Sequence, residues 1–159
     1  MKLLNLMTKS QSRIKLVLFD IGGVLIKENS NSSVEEILSN LKKLTQLLNA
    51  NHMQTGILSI KEESFPLNEF NNSVVNFIIL SQLNKEESLL NFIKGKYSFD
   101  EIFYIADDLL DVPVLQKVGI SASPISARRE VKRIVNHVIR KEDPVEIINE
   151  VKSIVLPNV

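Results

Sequence analysis

The sequence predicts an α/β domain of Rossmann-like type: a doubly wound, mainly parallel sheet with helices on its faces. Three observations lead there. Short aliphatic runs alternate with segments whose apolar residues recur at helical spacing. The strongest of those runs, 16–19, is apolar throughout, as a strand buried on both faces is. Several runs also end in polar residues, at the strand ends where open α/β sheets take their ligands. No repeat and no linker interrupts the 159 residues. A single domain over 14–159, behind a lead-in of residues 1–13, is therefore expected.

Composition narrows the function classes. Hydrophobic residues make up 44% and charged residues 24%, which is ordinary for a globular chain. Nineteen basic side chains balance nineteen acidic ones. No cationic excess is left to neutralise phosphates, so nucleic acid is not an expected partner. Zero net charge also does nothing to oppose self-association. The chain has no cysteine. Disulfides and thiolate metal sites are excluded, a metal would be held by oxygen or histidine, and a hard cation such as Mg²⁺ fits best. Nothing calls for an oxidising compartment, which points to the cytoplasm. The apolar residues of the lead-in are too few for a membrane span and lack a cleavage-like signal, so no membrane is expected.

The elements follow in order. The run 16–19 ends in Asp20 and then in Gly22 and Gly23, which let the backbone turn sharply close to a ligand. After a polar stretch over 27–33, Ser32 or Ser33 with a glutamate three residues on makes a capping box. Val34, Ile37, Leu38, Leu41, Leu44 and Leu48 then repeat as one helical stripe. A second strand is expected over 55–60, ending in Ser59, and a third over 74–80. Between them, 61–73 carries Pro66 and several asparagines and reads as loop with a short helical turn. Lys85 opens a helix with Gly95 at its stop. A fourth strand over 102–106 runs into Asp107, Asp108 and Asp111, and Pro113 suits the first turn of a helix through about Val118. A fifth strand over 120–123, a helix over 126–134 and a sixth strand over 137–139 follow. Asp143 and Pro144 open a last helix through Val155.

Four strand ends thus carry polar groups: Asp20, Ser59, the segment leading to Lys85, and the Asp107 cluster. In a doubly wound sheet these ends share one edge, so the carboxylate after the first strand can face those after the fourth. Carboxylates brought together repel unless a cation sits among them. A lysine and a serine beside them would suit a phosphate. The three acids could instead cap the helix near Pro113, but they exceed what a cap needs. Lys85 alone reads as a solvated first-turn lysine, and Arg128, Arg129, Lys132 and Arg133 as a solvated basic face. His52 and His137 have no partner at metal or triad spacing.

The segments Phe19-Asp20-Ile21-Gly22-Gly23-Val24-Leu25 and Ala106-Asp107-Asp108-Leu109-Leu110-Asp111, with the strand-end serine and the lysine, resemble the four motifs of the haloacid dehalogenase superfamily. The likeness runs over about 14–155, strongest at the two acidic motifs and weakest over 61–73. Its most specific part is 104–119. Within the superfamily it is closest to the 3-deoxy-manno-octulosonate 8-phosphate phosphatases and the similar end domains of some sialic-acid cytidylyltransferases. The resemblance implies a capless domain that hydrolyses a small phosphomonoester, such as a sugar phosphate, with Mg²⁺ and through an aspartyl-phosphate. It implies Asp20 as nucleophile and metal ligand, and Asp107 as a further ligand. Asp108 and Asp111 would support the site, while Ser59 and Lys85 would bind the phosphoryl group. A homo-oligomer, a tetramer by the resemblance, is also implied.

Three departures stand out. Gly22 replaces the aspartate that serves the family as general acid and base, although its backbone carbonyl can still bind metal. Ala106 replaces a glycine. The stretch between Asp20 and Ser59 is shorter, at the cost of a hairpin that helps close a neighbouring subunit's site. The expectation is therefore a phosphoric monoester hydrolase impaired at position 22. The alternative is a catalytically degenerate domain with an assembly or ligand-binding role.

Overall fold

The computed structural model of the chain describes residues 13–61 and 67–159. The lead-in over 1–12, and residues 62–66 of the loop expected over 61–73, lie outside the described residues. In chain order the elements are β1 (Leu16–Phe19), α1 (Val34–Ala50), β2 (Gln54–Ile60), β3 (Phe77–Ser81), α2 (Lys85–Ile93) and β4 (Ile102–Ile105). They continue with α3 (Val112–Leu115), β5 (Ile120–Pro124), α4 (Arg129–Lys132), β6 (His137–Ile139) and α5 (Pro144–Val155). Short 3₁₀ turns at Phe99–Glu101 and Leu109–Asp111 bracket β4.

The strands form one sheet in the order β3-β2-β1-β4-β5-β6, and every pairing in it is parallel. The chain winds outward from β1 in both directions, so the topological switch point lies between β1 and β4. Their register sets Phe19 beside Ile105, and the Asp20 amide donates to the Ile105 carbonyl at 3.0 Å. The first residues beyond the two central strands are thereby brought side by side at the crevice where such sheets bind ligands.

The uniform apolarity of β1 has a direct structural reason. Val17 and Phe19 face a core completed by Ile37, Leu41 and Leu48 of α1 and by Ile147, Val151 and Val155 of α5. Leu16 and Leu18 face the opposite core, with Leu89 and Ile93 of α2, Leu115 of α3 and Val131 of α4. Both faces of the sheet are covered, so all four β1 side chains are buried. Truncating one, as in Phe19→Ala, costs about 3–5 kcal/mol through lost burial and the cavity left behind.

Helix ends follow the local chemistry. The Ser33 side chain accepts from the Glu36 amide, Asn84 from the Glu87 amide and Asp143 from the Val145 amide, and Pro144 fills the first turn of α5. Gly95 takes φ +78° just past α2, with open space around it.

Three expected elements differ, one of them the helix around Pro113, which ends at Leu115 rather than near Val118. The third strand begins at Phe77 rather than at position 74. The Asn71 carbonyl accepts from the amides of both Val74 and Val75, and Asn71 Oδ1 accepts from the Ser73 amide. This Asn-centred turn buries both valines without a ladder. The helix expected over 126–134 shrinks to α4. Arg128 is extended (φ −57°, ψ 144°) and its amide donates to the Asp107 carbonyl at 3.2 Å, so the backbone there braces the end of β4.

Candidate active site

The loop after β1 is a compact turn built by its own backbone. The Ile21 carbonyl accepts from the amides of Val24, Leu25 and Ile26 at 2.9–3.2 Å, and the Gly23 amide donates to Ile26 at 3.0 Å. Ile21, Val24 and Leu25 are fully buried and pin the turn to the core. Gly23 adopts φ +76°, which disfavours any residue with a Cβ. A Cβ there would also lie 1.8 Å from Asp107 Oδ2, so the carboxylate uses the room that the missing side chain leaves.

Asp20, Asp107 and Asp111 converge, each offering a carboxylate oxygen within 4.8 Å of the others. Lys85, the first residue of α2, reaches back beneath them and is 3% exposed. Its ammonium lies 3.1 Å from Asp20 Oδ1 and 2.6 Å from Asp111 Oδ1, and donates to Tyr104 Oη at 3.2 Å. An ammonium has three N–H groups, and Lys85 thus has a partner for each. It is a buried structural cation, not the solvated lysine that its position at a helix start would suggest.

Asp111 is fully buried and fully engaged. Its Oδ1 takes Lys85 and the Tyr104 hydroxyl, the latter at 2.7 Å, and its Oδ2 accepts from the Asp108 amide at 3.3 Å. Asp108, more than half exposed, accepts from the Leu109 amide. Asp108 and Asp111 therefore do form a capping box on the 3₁₀ turn. Asp108 and Asp111 thus cap the turn and also line the cleft, whereas Asp107 lines the cleft without capping.

One ammonium among three carboxylates leaves an excess of negative charge in a poorly solvated place. Burial, reinforced by Asp111 and opposed by Lys85, pushes the Asp20 carboxyl up to about 7. Burial, with Asp111 and Asp108 beside it, pushes Asp107 up to about 6. Burial alone would depress Lys85, but Asp20 and Asp111 outweigh it and hold the ammonium above its ordinary value. Tyr104, wholly enclosed and next to Asp20 and Asp111, is held well above the usual phenol range.

The cleft above these groups has a volume of about 200 Å³ and is lined by Asp20, Gly22, Ser59, Lys85, Asp107 and Asp108, among others. All the site residues expected from the sequence are therefore together. Ser59 is 1% exposed, with its hydroxyl 3.3 Å from the Ile60 carbonyl. Tyr104 was not among the expected site residues. A tyrosine inside an apolar run reads as core, and only the parallel register of β4 aims its hydroxyl at Asp111.

A larger cavity, about 470 Å³, lies on the other side of the β1 turn. Gly23, Lys27, Ser30, Ser126, Glu142 and Asp143 are among its lining residues. Lys27 Nζ donates to Ser126 Oγ at 2.8 Å, and Asp143 accepts from the Ser32 hydroxyl at 2.6 Å and the Ser32 amide at 3.1 Å. No spacing signal in the sequence joins residues so far apart.

No family model matches the chain, and no curated protein does. Solved structures do. The cobalt-bound deoxy-D-mannose-octulosonate 8-phosphate phosphatase of Haemophilus influenzae superposes with a TM-score of 0.77 at 21% identity, over 93% of this chain and 90% of that one. The 3-deoxy-D-manno-octulosonate 8-phosphate phosphatase of Moraxella catarrhalis, in complex with a magnesium ion, a phosphate ion and a KDO molecule, gives 0.78 at 18%, over 97% and 92%. A Legionella pneumophila protein described as a HAD superfamily subfamily III A hydrolase gives 0.75 at 18%, over 96% and 89%. Switch point, strand-end acids and superposition over at least 93% of the chain agree: this chain has the haloacid dehalogenase fold.

Proposed function

We propose that the protein is a Mg²⁺-dependent phosphomonoester hydrolase acting on a small phosphorylated molecule of the sugar-phosphate kind. The observation that carries the reading is the meeting of Asp20 and Asp107 across the switch point, over a buried Lys85. An all-oxygen set with surplus negative charge fits a hard divalent cation, and the residues that would hold it are Asp20, Asp107 and the Gly22 carbonyl. When bound, Mg²⁺ would neutralise phosphoryl charge.

The chain's own groups would do the rest. Asp20 would attack phosphorus through the carboxylate oxygen not held by Lys85, expelling the alcohol and leaving an aspartyl-phosphate that water then hydrolyses. Lys85, fixed by Asp111 and Tyr104, would orient Asp20 and keep a positive charge at the floor of the cleft. Ser59 would receive a phosphoryl oxygen. Asp108 and Asp111 would hold the 3₁₀ turn, and with it Asp107, in place. Gly22 supplies no proton to the leaving alcohol, so esters of poor leaving groups would turn over slowly.

The same glycine favours a second reading, a domain that binds a phosphorylated ligand or assembles without turnover. Self-association belongs to either reading. Leu80, Leu83, Leu109 and Leu110 are all exposed, and Leu110 also lines the cleft, so a second copy there would exclude water from a capless site. No helix among the described residues is long and apolar enough to cross a membrane. With zero net charge and no cysteine, we place the protein in the cytoplasm with no nucleic-acid partner.

The test is release of phosphate from phenyl phosphate and a sugar phosphate, with and without Mg²⁺. Turnover that needs Mg²⁺ and vanishes in Asp20→Asn supports the hydrolase. Phosphate release indifferent to both would overturn it, and Mg²⁺-dependent ligand binding without release would support the second reading.

A further inference from the structure

The larger cavity and the catalytic cleft share a wall. Gly22 lines the cleft and Gly23 the cavity, while Asp107, which lines the cleft, lies against Gly23. A phosphate held at Asp20 thus has beside it a space within the size range of small-molecule sites. That space is bounded by the 27–31 loop, Ser126 and the residues that lead into α5.

Its chemistry is specific. Among the described lining residues Ile26 is the only large apolar side chain, and the polar groups are hydroxyls, amides and charges. Lys27 is the one cation among these described lining residues, against the carboxylates of Glu28, Glu142 and Asp143. One of its three N–H groups donates to Ser126 Oγ, and its single charge is outnumbered by those carboxylates. Arg128 lines neither cavity, and its guanidinium is turned toward Asp108, 3.9 Å away. Asp143, through the Ser30 and Ser32 hydroxyls and the Ser32 amide, ties the loop to the start of α5, so the wall is braced from two sides. Such a wall offers acceptors and donors to hydroxyl groups and repels a second anion.

We propose that this cavity receives the alcohol part of the substrate, and that it selects a polyhydroxylated chain carrying no carboxylate. The proposal rests on the phosphatase reading for the place of the phosphate. It separates this chain from the similar structures named for an octulosonate, a sugar acid.

The probes are glucitol 6-phosphate and gluconate 6-phosphate, which differ only in a terminal CH₂OH or carboxylate. Preference is read as kcat/KM where the ester is turned over and as Kd where it is only bound, with Mg²⁺ present. Glucitol 6-phosphate is expected to be favoured about tenfold or more, a gap of the size set by one like-charge contact. Glu142→Gln should narrow that gap by improving gluconate 6-phosphate. Amide shifts from glucitol 6-phosphate should reach Lys27, Ser30 and Ser126. Equal or better use of gluconate 6-phosphate, or shifts confined to the Asp20 cleft, would overturn the proposal. Phenyl phosphate separates the two claims. Mg²⁺-dependent turnover of it with no polyol preference sinks the cavity assignment alone, whereas no turnover with the preference intact sinks the hydrolase alone.

Discussion

Asp107 packs against Gly23 so closely that its Oδ2 occupies the place of the missing side chain, 1.8 Å from where a Cβ would be. The turn after β1 and the acid that follows β4 are thereby one unit. Gly23→Ala should cost about 1–2 kcal/mol for the left-handed backbone and should displace the carboxylate as well. Gly95→Ala is the control, since it shares the positive φ but meets only open space. Calorimetry should find both variants less stable, with the stabilisation by Mg²⁺ lost only in Gly23→Ala. An unchanged Mg²⁺ response in Gly23→Ala would separate the glycine from the metal site.

Lys85→Met removes the one ammonium that, among the described residues, pairs with the buried carboxylates of Asp20 and Asp111. At pH 7.5 the loss should be about 3–5 kcal/mol in urea unfolding, because uncompensated charge is left buried. The loss should shrink at pH 5, where Asp20, with its carboxyl pushed up to about 7, takes a proton instead. A variant equally weakened at both pH values would mean that packing of the lysine stem, rather than its charge, is what matters.

The same acids set the pH dependence of the metal-free protein. Asp20 and Asp107 titrate near 7 and 6 in the fold, against about 3.9 for an aspartate in the unfolded chain. The folded state therefore binds protons more tightly than the unfolded one. That contribution is complete below about pH 4 and is lost as pH rises through 6 and 7. With a chelator, Tm should fall between pH 5 and 7.5, and Asp20→Asn should flatten the fall. Added Mg²⁺ should oppose it, since a cation favours the ionised pair.

Gly22→Asp restores an acid where the leaving alcohol would need one. General acid catalysis contributes about 10²–10⁴-fold, so a sugar phosphate should gain strongly and an activated aryl phosphate little. Adding Asp20→Asn should abolish both. If Gly22→Asp folds and binds Mg²⁺ yet turns over neither ester, the ligand-binding reading stands.

The sequence by itself determined the elements that depend on local physics. The 16–19 run announces a central strand because burial on both faces leaves no polar position in it. The serine pair Ser32 and Ser33, of which Ser33 is the cap, and Asp143 announce helix starts because a side-chain oxygen must meet amides that have no partner within the helix. The strand-end acids announced a site because the switch point of a doubly wound sheet has a fixed place. Tertiary structure alone decided what those groups do. Lys85 became a buried anchor because β4 turns the Tyr104 hydroxyl toward Asp111, and Asp108 became a cap while Asp107 stayed free. Ser32 met Asp143 and Lys27 met Ser126 across about a hundred residues. Such pairs carry no periodicity and no spacing. They exist only once the sheet has formed, when the loops that follow β1, β5 and β6 meet at one edge of it.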